Sequence, residues 1–533
     1  MEYPTTRNLA ELLADADISP ENVSDEISNT VVTGLCADSR RVRQGELFIA
    51  IPGLHTDARS YITEATLRGA SAVLTEGDDP FEGVPIPVIR VTDTRVATAC
   101  LYDAWYGHPA RRLRLVGVTG TNGKTTVSSM LRHILHASGI PCGLIGTVGC
   151  IPPTGDGEIC PTPQGTGGMT TPDPWTLYPL LARMAEGADP HNPPVIVMEV
   201  TSHALALGKV APLRFEMGIF TNLSPEHMDL HGTMEHYYVA KRRLFEVSRL
   251  AVINADDRYG RMLLGEPLPA RHWYICHATG LDGLPPDRMC PAGEGSCTRA
   301  YAEQVKLLAE EGVSFKLTTP DIRLRLRCPI PGEFSVMNAL EASMAALALG
   351  ASPAVVRDAL RIFSGVPGRM ERVSWTAEGV CCPEDMAVYI DFAHTPDALE
   401  KLLGVAHGLR RRGRRIVLLF GCGGDRDRSK RKTMGRIASR MADFVIVTSD
   451  NSRTEPPEAI ISDILQGMDK ESAFTVIPDR AEAIDYAIRT ARAGDIILLA
   501  GKGHETYEIT AGGMRPFCEK QLVCEAVKRY FSI

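Results

Sequence analysis

Short apolar runs alternate with longer amphipathic stretches over most of this chain. From about Leu113 onward, runs rich in Val, Ile and Leu recur at Leu113–Val118, Val195–Val200, Gly218–Thr221, Ala251–Asn254, Val388–Asp391, Ile416–Phe420, Phe444–Thr448 and Ile496–Leu499. Continuous apolar runs of this length, spaced widely enough for helices between them, read as strands of a parallel sheet covered on both faces. An α/β fold is therefore expected. Most of the runs are followed at once by Gly, Asn, Asp or His, and ligands of open α/β sheets bind at the carboxyl ends of strands. The opening segment, Met1 to Ile18, reads instead as an acidic helix with Leu9, Leu12 and Leu13 on one face. Two stretches break the alternation: Ile151–Met169, rich in Pro, Gly and Thr, and Gly280–Ser296, rich in Gly and Pro. Both are expected to be surface insertions.

Length and composition narrow the picture. A chain of 533 residues is too long for a single core, so several domains are expected. Boundaries are placed near Arg111, just before the first nucleotide motif, and near Val366, in the Gly365–Gly368 stretch. This gives segments 1–111, 112–366 and 367–533. Hydrophobic residues at 44% and charged residues at 23% are ordinary for a soluble globular protein and exclude extensive disorder. A net charge of -8 gives no global attraction to nucleic acid or anionic membrane, so an anionic ligand must be held by local groups. No apolar run is long enough to span a bilayer, and the start is unlike a secretory signal, so a cytoplasmic location is expected. The 14 cysteines lack paired C-x-x-C spacing and read as scattered thiols in a reducing compartment.

The strongest local signal is Val116-Gly-Val-Thr-Gly-Thr-Asn-Gly-Lys-Thr-Thr126, between a strand and an apolar helix beginning near Val127. Gly120 and Gly123 let the backbone approach phosphate oxygens, and the amides of Thr121, Asn122 and Thr126 lie in the same turn. Lys124 can reach terminal phosphates, and the Thr125 hydroxyl can ligate Mg²⁺. The spacing departs from G-x-x-x-x-G-K-[ST], because position 118 is Val and the first glycine comes at 120.

Other polar clusters follow other strands. Glu199-Val-Thr-Ser-His203 puts a carboxylate at a strand end, where it suits a hard cation. Thr221-Asn-Leu-Ser-Pro-Glu-His-Met-Asp-Leu-His231-Gly232 offers His227, Asp229 and His231 as three potential metal ligands. Lys241, in a helix Tyr237–Phe245, reads by spacing alone as a surface lysine. Gly368-Arg-Met-Glu371 opens the last segment. Asp391-Phe-Ala-His-Thr-Pro396, Phe420-Gly-Cys-Gly-Gly-Asp-Arg-Asp-Arg428, Ser449-Asp-Asn-Ser-Arg-Thr-Glu455 and Gly501-Lys-Gly-His-Glu505 all follow predicted strands. Four such transitions at one edge of one sheet point to a substrate cleft, and its arginines suit carboxylates or phosphates.

Together these strings resemble the Mur ligases, from Asp38-Ser-Arg40 to Gly501–Glu505, almost the whole chain. The combination of phosphate loop, Thr170-Thr-Pro172, Glu199–His203, Thr221–Gly232 and Asp391–Pro396 carries the resemblance. It implies three domains: one binding a UDP moiety, a central P-loop ATPase, and a Rossmann-like carboxy-terminal domain taking an amino acid. The implied activity is an ATP-dependent, ADP-forming amide-bond ligation in peptidoglycan precursor synthesis. The D-glutamate side-chain carboxylate of UDP-MurNAc-L-Ala-D-Glu is phosphorylated, and a diamino acid then attacks the acyl phosphate. The chain is expected to act as a monomer.

Carried over by motif, Ser39 is expected at the uridine nucleotide, and Thr170, Thr171, Thr201 and Lys209 at the sugar-peptide and phosphate parts. Thr125, Glu199 and His227 would organise Mg²⁺, with Lys241 as a carbamate. Asn338, Arg369 and Asp391 would contact ATP. Arg426, Asp450, Asn451, Arg453, Gly501 and Glu505 would recognise the amino acid. Lys124, His227 and Lys241 are the expected catalytic set, and His203, His394 or His504 could deprotonate the amine. Three positions depart from the family pattern: Thr201 where serine is usual, Lys209 where arginine is common, and Ser452 where the diaminopimelate-type signature has proline. Arg453, which in the family grips the distal carboxylate of meso-diaminopimelate, is present and favours that substrate. An L-lysine-adding ligase, a folylpolyglutamate synthetase-like ligase and a P-loop binding protein without turnover are the alternatives.

Overall fold

The computed structural model describes residues 5–20, 25–53, 57–77, 84–154, 169–278, 295–375, 383, 385–410 and 414–531. Most of the two expected insertions, 155–168 and 280–294, lies outside the described residues. Their edges are strands, Gly149–Ile151 and Ser296–Leu307, rather than loop.

Three sheets carry the molecule. The largest has ten strands in the spatial order Arg323–Cys328, Val313–Thr318, Ser296–Leu307, His272–His277, Ser248–Asn254, Phe215–Phe220, Arg114–Thr119, Val195–Glu199, Cys142–Gly146 and Gly149–Ile151. Its middle is parallel and both ends are antiparallel. A six-stranded sheet runs Glu371–Arg372, Ala387–Asp391, Ile496–Ala500, Ile416–Phe420, Phe444–Val447 and Phe474–Val476, parallel except at its first strand. The eight expected strands are all present with ends within a few residues of expectation.

The α/β pattern begins earlier than Leu113. Residues 35–90 hold a four-stranded parallel sheet, Leu35–Cys36, Leu47–Ile49, Ala72–Thr75 and Val88–Arg90. These strands have only two to four residues, too short to stand out as apolar runs. The expected opening helix is Leu9–Asp15, capped by Asn8 and burying Leu9, Leu12 and Leu13. Those leucines share one apolar core with Trp105, Leu177, Met198 and Ile253, so the hydrophobic interior continues across the proposed boundary at 111. The six-stranded sheet is sandwiched between two cores of its own.

The topology positions the chemistry. Arg114–Thr119 lies between Phe215–Phe220 and Val195–Glu199, so the phosphate loop, Thr221 and Glu199 leave from adjacent carboxyl ends. In the six-stranded sheet, Ala387–Asp391, Ile496–Ala500, Ile416–Phe420 and Phe444–Val447 are parallel neighbours. The four polar transitions therefore share one edge, as expected. No disulfide joins any two of the ten described cysteines, and no helix among the described residues is long and apolar enough to cross a membrane.

Candidate active site

The phosphate loop turns where only glycine fits. Gly120 (φ 152°) and Gly123 (φ 86°) occupy left-handed backbone, and a Cβ at Gly120 would lie 1.9 Å from the Thr221 hydroxyl. A Cβ at Gly123 would meet Asn338 Oδ1 at 2.7 Å, which brings Asn338 to the loop from its own helix, Phe334–Ala348. Across the loop, the Thr121 and Asn122 amides donate to Asn222, at 2.9 and 3.0 Å. Lys124 and Thr126 begin the helix Lys124–Ala137. Lys124 folds back on the loop, donating to the carbonyls of Gly120 (2.9 Å) and Thr121 (2.8 Å), and burial lowers its pKa.

Glu199 is fully buried at its strand end and is held from three sides. Thr125 donates to it at 3.0 Å, as does the Thr147 hydroxyl, and the Thr147 amide donates at 2.8 Å. Thr147 also sits 3.1 Å from the Thr170 hydroxyl, linking the carboxylate to the Thr170–Thr171 turn. The Thr171 hydroxyl donates to the Glu199 carbonyl (2.9 Å) and lies 3.1 Å from the Thr201 hydroxyl, and Thr201 caps the helix Ser202–Ala206. The threonine at 201 thus supplies the capping hydroxyl that serine would. Lys209 pairs with Asp173 at 2.7 Å.

The three potential ligands His227, Asp229 and His231 are not gathered around one point. His231 Nε2 is 2.9 Å from the Ser202 hydroxyl, the ring stacks on Tyr237, and Asp229 is exposed. Among the described residues no group of three or more His, Cys, Asp or Glu is arranged to hold a metal. His227 stands in left-handed backbone (φ 57°), edge-on to His203 with ring centres 4.6 Å apart. Burial lowers both imidazoles to about 4.

Lys241 is not a surface lysine. It is 1% exposed and donates to the Gly120 carbonyl at 2.8 Å. In the helix Met234–Glu246 it lies on the buried stripe with Tyr237, Leu244 and Phe245, so its place in that apolar periodicity is the signal that marks it. Burial pushes its pKa well below the ordinary lysine value.

The C-terminal domain closes over this loop. Arg369 donates to the Thr125 hydroxyl at 3.2 Å while stacking over Phe392. Asp397 accepts from Asn122 Nδ2 (2.7 Å) and the Ser224 hydroxyl (3.1 Å). His394 Nε2 lies 3.3 Å from Glu226. Burial alone would raise Glu226, yet the hydrogen bond from His394 and the charge of His227 hold it well below the usual range. Glu226 and Asp397 are not among the residues expected from sequence, although each stands beside a motif residue, His227 or Pro396. Asp391 accepts from the amides of Met370 (2.7 Å) and Ala393 (2.8 Å), and burial raises its pKa.

Of the three histidines named as possible bases, His394 has Nδ1 2.8 Å from its neighbour's carbonyl at Phe392. His504 is lowered to about 4 by burial, with Nδ1 buried and unpartnered among the described residues.

At the carboxyl edge of the six-stranded sheet, Asp450, Asn451, Arg453, Gly501 and Glu505 converge. Gly501 lacks a Cβ that would lie 2.7 Å from the Asp450 carboxylate. Asn451 Nδ2 donates to Glu505 at 2.8 Å. Burial alone would raise Asp450, but Arg480 and Lys502 hold it below its ordinary value. Arg453, in left-handed backbone (φ 53°), donates through Nη1 to the carbonyls of Gly424 and Asn451. Arg426 donates to the Asp425 carbonyl, and both side chains lie over Gly423. Neither Arg426 nor Arg453 pairs with a carboxylate among the described residues. Ser39 sits apart in the first domain, 3.1 Å from Glu64.

Two family models match the chain: the Mur ligase middle domain over residues 118–346 and the Mur ligase glutamate ligase domain over residues 368–503. It is 40% identical to the UDP-N-acetylmuramoyl-L-alanyl-D-glutamate--2,6-diaminopimelate ligase of Gloeobacter violaceus, covering 98% of both chains. The ligase of the same name from Clostridioides difficile is 37% identical, covering 95% of this chain and 97% of the relative. A solved structure with that name superposes with a TM-score of 0.62 at 29% identity over 98% of this chain and 99% of the other. At 17% identity, a MurF ligase from Thermotoga maritima in complex with ADP shares the fold, with a TM-score of 0.53 over 93% and 96% of the two chains. Matched along nearly its full length, with the middle and glutamate ligase domains both in place, the chain belongs to the Mur ligase family.

Proposed function

We propose that this protein joins 2,6-diaminopimelate to UDP-N-acetylmuramoyl-L-alanyl-D-glutamate, using ATP, as a cytoplasmic step of peptidoglycan precursor synthesis. The observation that carries the reading is the shared cleft. The contacts Arg369–Thr125, Asp397–Asn122 and His394–Glu226 bring the phosphate loop against the carboxyl edge of the sheet that holds Arg453 and Glu505. A nucleotide on one wall then faces an amino acid on the other, with the threonines of Thr170–Thr201 between strand ends of the central domain.

The reaction needs a carboxylate to attack a γ-phosphate, and both are anionic. Lys124 and Arg369 are the cations that meet this charge. The Thr121 and Asn122 amides are taken up by Asn222, so the amides left for phosphate are those that open the helix Lys124–Ala137. Preorganised donors of this kind contribute about 3–4 kcal/mol each when removed singly. The amino group of the second substrate then attacks the acyl phosphate carbonyl, and phosphate leaves.

Mg²⁺ fits the donors present: the Thr125 hydroxyl and the Glu199 carboxylate are hard oxygens 3.0 Å apart, with His227 proposed alongside. A set this small suits an ion that keeps waters and substrate phosphates as its other ligands. When bound, Mg²⁺ would neutralise phosphate charge. Lys241 is proposed as a carbamate, since its amine is buried against the phosphate loop, and burial shifts it toward the neutral form that CO₂ requires. Of the histidines, His394 is favoured at the amine, because it alone of the three joins the closing contacts.

Arg426 and Arg453, without carboxylate partners among the described residues, suit a substrate that brings a second carboxylate, which meso-diaminopimelate has and L-lysine lacks. Trapping with hydroxylamine tests the chemistry. With ATP and UDP-MurNAc-L-Ala-D-Glu but no amino acid, hydroxamate should form in step with ADP. ADP release without hydroxamate would contradict the acyl-phosphate route.

A further inference from the structure

Lys502 is 0% exposed, among the largest fully buried side chains in the molecule. Its ammonium donates to Asn451 Oδ1 at 3.0 Å and Glu505 Oε2 at 3.3 Å, and the Asp450 carboxylate lies 3.8 Å away as an ion-pair partner. The Phe517 ring covers it from 5.5 Å. A buried ammonium is costly unless it is hydrogen-bonded and paired, and here two hydrogen bonds and a nearby carboxylate offset that cost.

All three partners are side chains proposed to recognise the incoming amino acid. Asn451 is further tied down: its Oδ1 also accepts from the Ile509 amide at 2.9 Å, and its Nδ2 donates to Glu505. Both donors to Glu505 use Oε2, so Oε1 is left without a partner among the described residues. The nearby Arg480 acts on Asp450 through its charge, while its hydrogen bonds go to Glu519 and to the carbonyls of Ser449 and Ala500. Lys502 thus offsets part of the charge of the two neighbouring carboxylates, Asp450 and Glu505.

Resting on the ligase reading above, we propose that Lys502 is a positioning residue for the diamino acid. It never touches the substrate. It pins Glu505 and Asn451 so that one carboxylate oxygen is presented to the substrate's ammonium, and it cancels one of two carboxylates that would otherwise repel each other.

The test compares Lys502→Met and Lys502→Arg with the unaltered full chain, measuring KM for meso-diaminopimelate, ATP and UDP-MurNAc-L-Ala-D-Glu. The expected result for Lys502→Met is a rise of about 30-fold or more in the diamino acid KM. The other two KM values and hydroxamate formation should stay within about twofold. Lys502→Arg keeps the charge and should recover part of the loss. In a Glu505→Gln background, Lys502→Met should add less than about threefold, because the group it holds is already changed. Equal rises in all three KM values, a multiplicative effect in the double variant, or an unchanged diamino acid KM would each overturn the proposal. Should Lys502→Met not fold, the Lys502→Arg values decide on the same criteria. If the unaltered chain itself shows no ADP release dependent on a diamino acid, it is the ligase reading that falls.

Discussion

Arg369, in the C-terminal domain, donates to the hydroxyl of Thr125 in the phosphate loop at 3.2 Å, and that hydroxyl in turn donates to Glu199. One side chain thus links two domains to a proposed metal ligand. Arg369→Ala should raise the ATP KM and lower kcat, for a combined loss of about 2–4 kcal/mol in kcat/KM. Steady-state kinetics with varied ATP check this. An unchanged ATP dependence would mean that the contact serves domain packing only.

Asp397 ties the same loop through Asn122 and Ser224, and pairs with Lys401 at 2.9 Å. Asp397→Ala should loosen the domain contact by about 1–3 kcal/mol. Small-angle scattering should then report a larger radius of gyration than for the unaltered protein. An identical scattering curve would show that the remaining contacts suffice.

Lys241 lies buried against the Gly120 carbonyl. If it works as a carbamate, Lys241→Ala should reduce turnover by about 100-fold or more, and added acetate or formate should restore part of it. Lys241→Arg keeps a cation and should not respond to acetate. Full activity in Lys241→Ala would remove the carbamate from the account.

Glu455 holds the loop that carries Arg453. Two hydrogen bonds from Arg431, at 2.8 and 3.0 Å, depress its pKa to about 2. The folded pKa is below the unfolded one, so the stabilisation is present above about pH 4.3 and is lost as pH falls toward 2. Solvent screening near the surface holds its size to about 1–2 kcal/mol. Thermal unfolding of the C-terminal domain should show a midpoint that drops between about pH 5 and about 2.5, and Glu455→Gln should flatten that slope. A parallel drop in both proteins would assign the acid sensitivity elsewhere.

Much of the fold is legible in the sequence. Long parallel strands such as Ile416–Phe420 announce themselves because burial on both faces leaves no polar positions. Strands of two or three residues, such as Leu35–Cys36, carry no such signature. The phosphate loop and the four polar transitions follow from glycines and charges at strand ends. Lys241 reads as exposed because a cation on a helix is ordinarily solvated, and only its alignment with Tyr237 and Phe245 marks it as buried. His231 reads as a possible ligand because sequence cannot say that its ring nitrogen is taken by Ser202. Thr147 and Asp397 escape a sequence reading because their partners, Glu199 and Asn122, lie 52 and 275 residues away.

The most direct test of the whole account is ADP release by the full chain with ATP, Mg²⁺ and UDP-MurNAc-L-Ala-D-Glu, with either meso-diaminopimelate or L-lysine as the second substrate. The account predicts release that depends on the diamino acid, with kcat/KM about 100-fold or more in favour of meso-diaminopimelate, set by Arg426 and Arg453. Equal use of L-lysine, or release that ignores both amino acids, would contradict it.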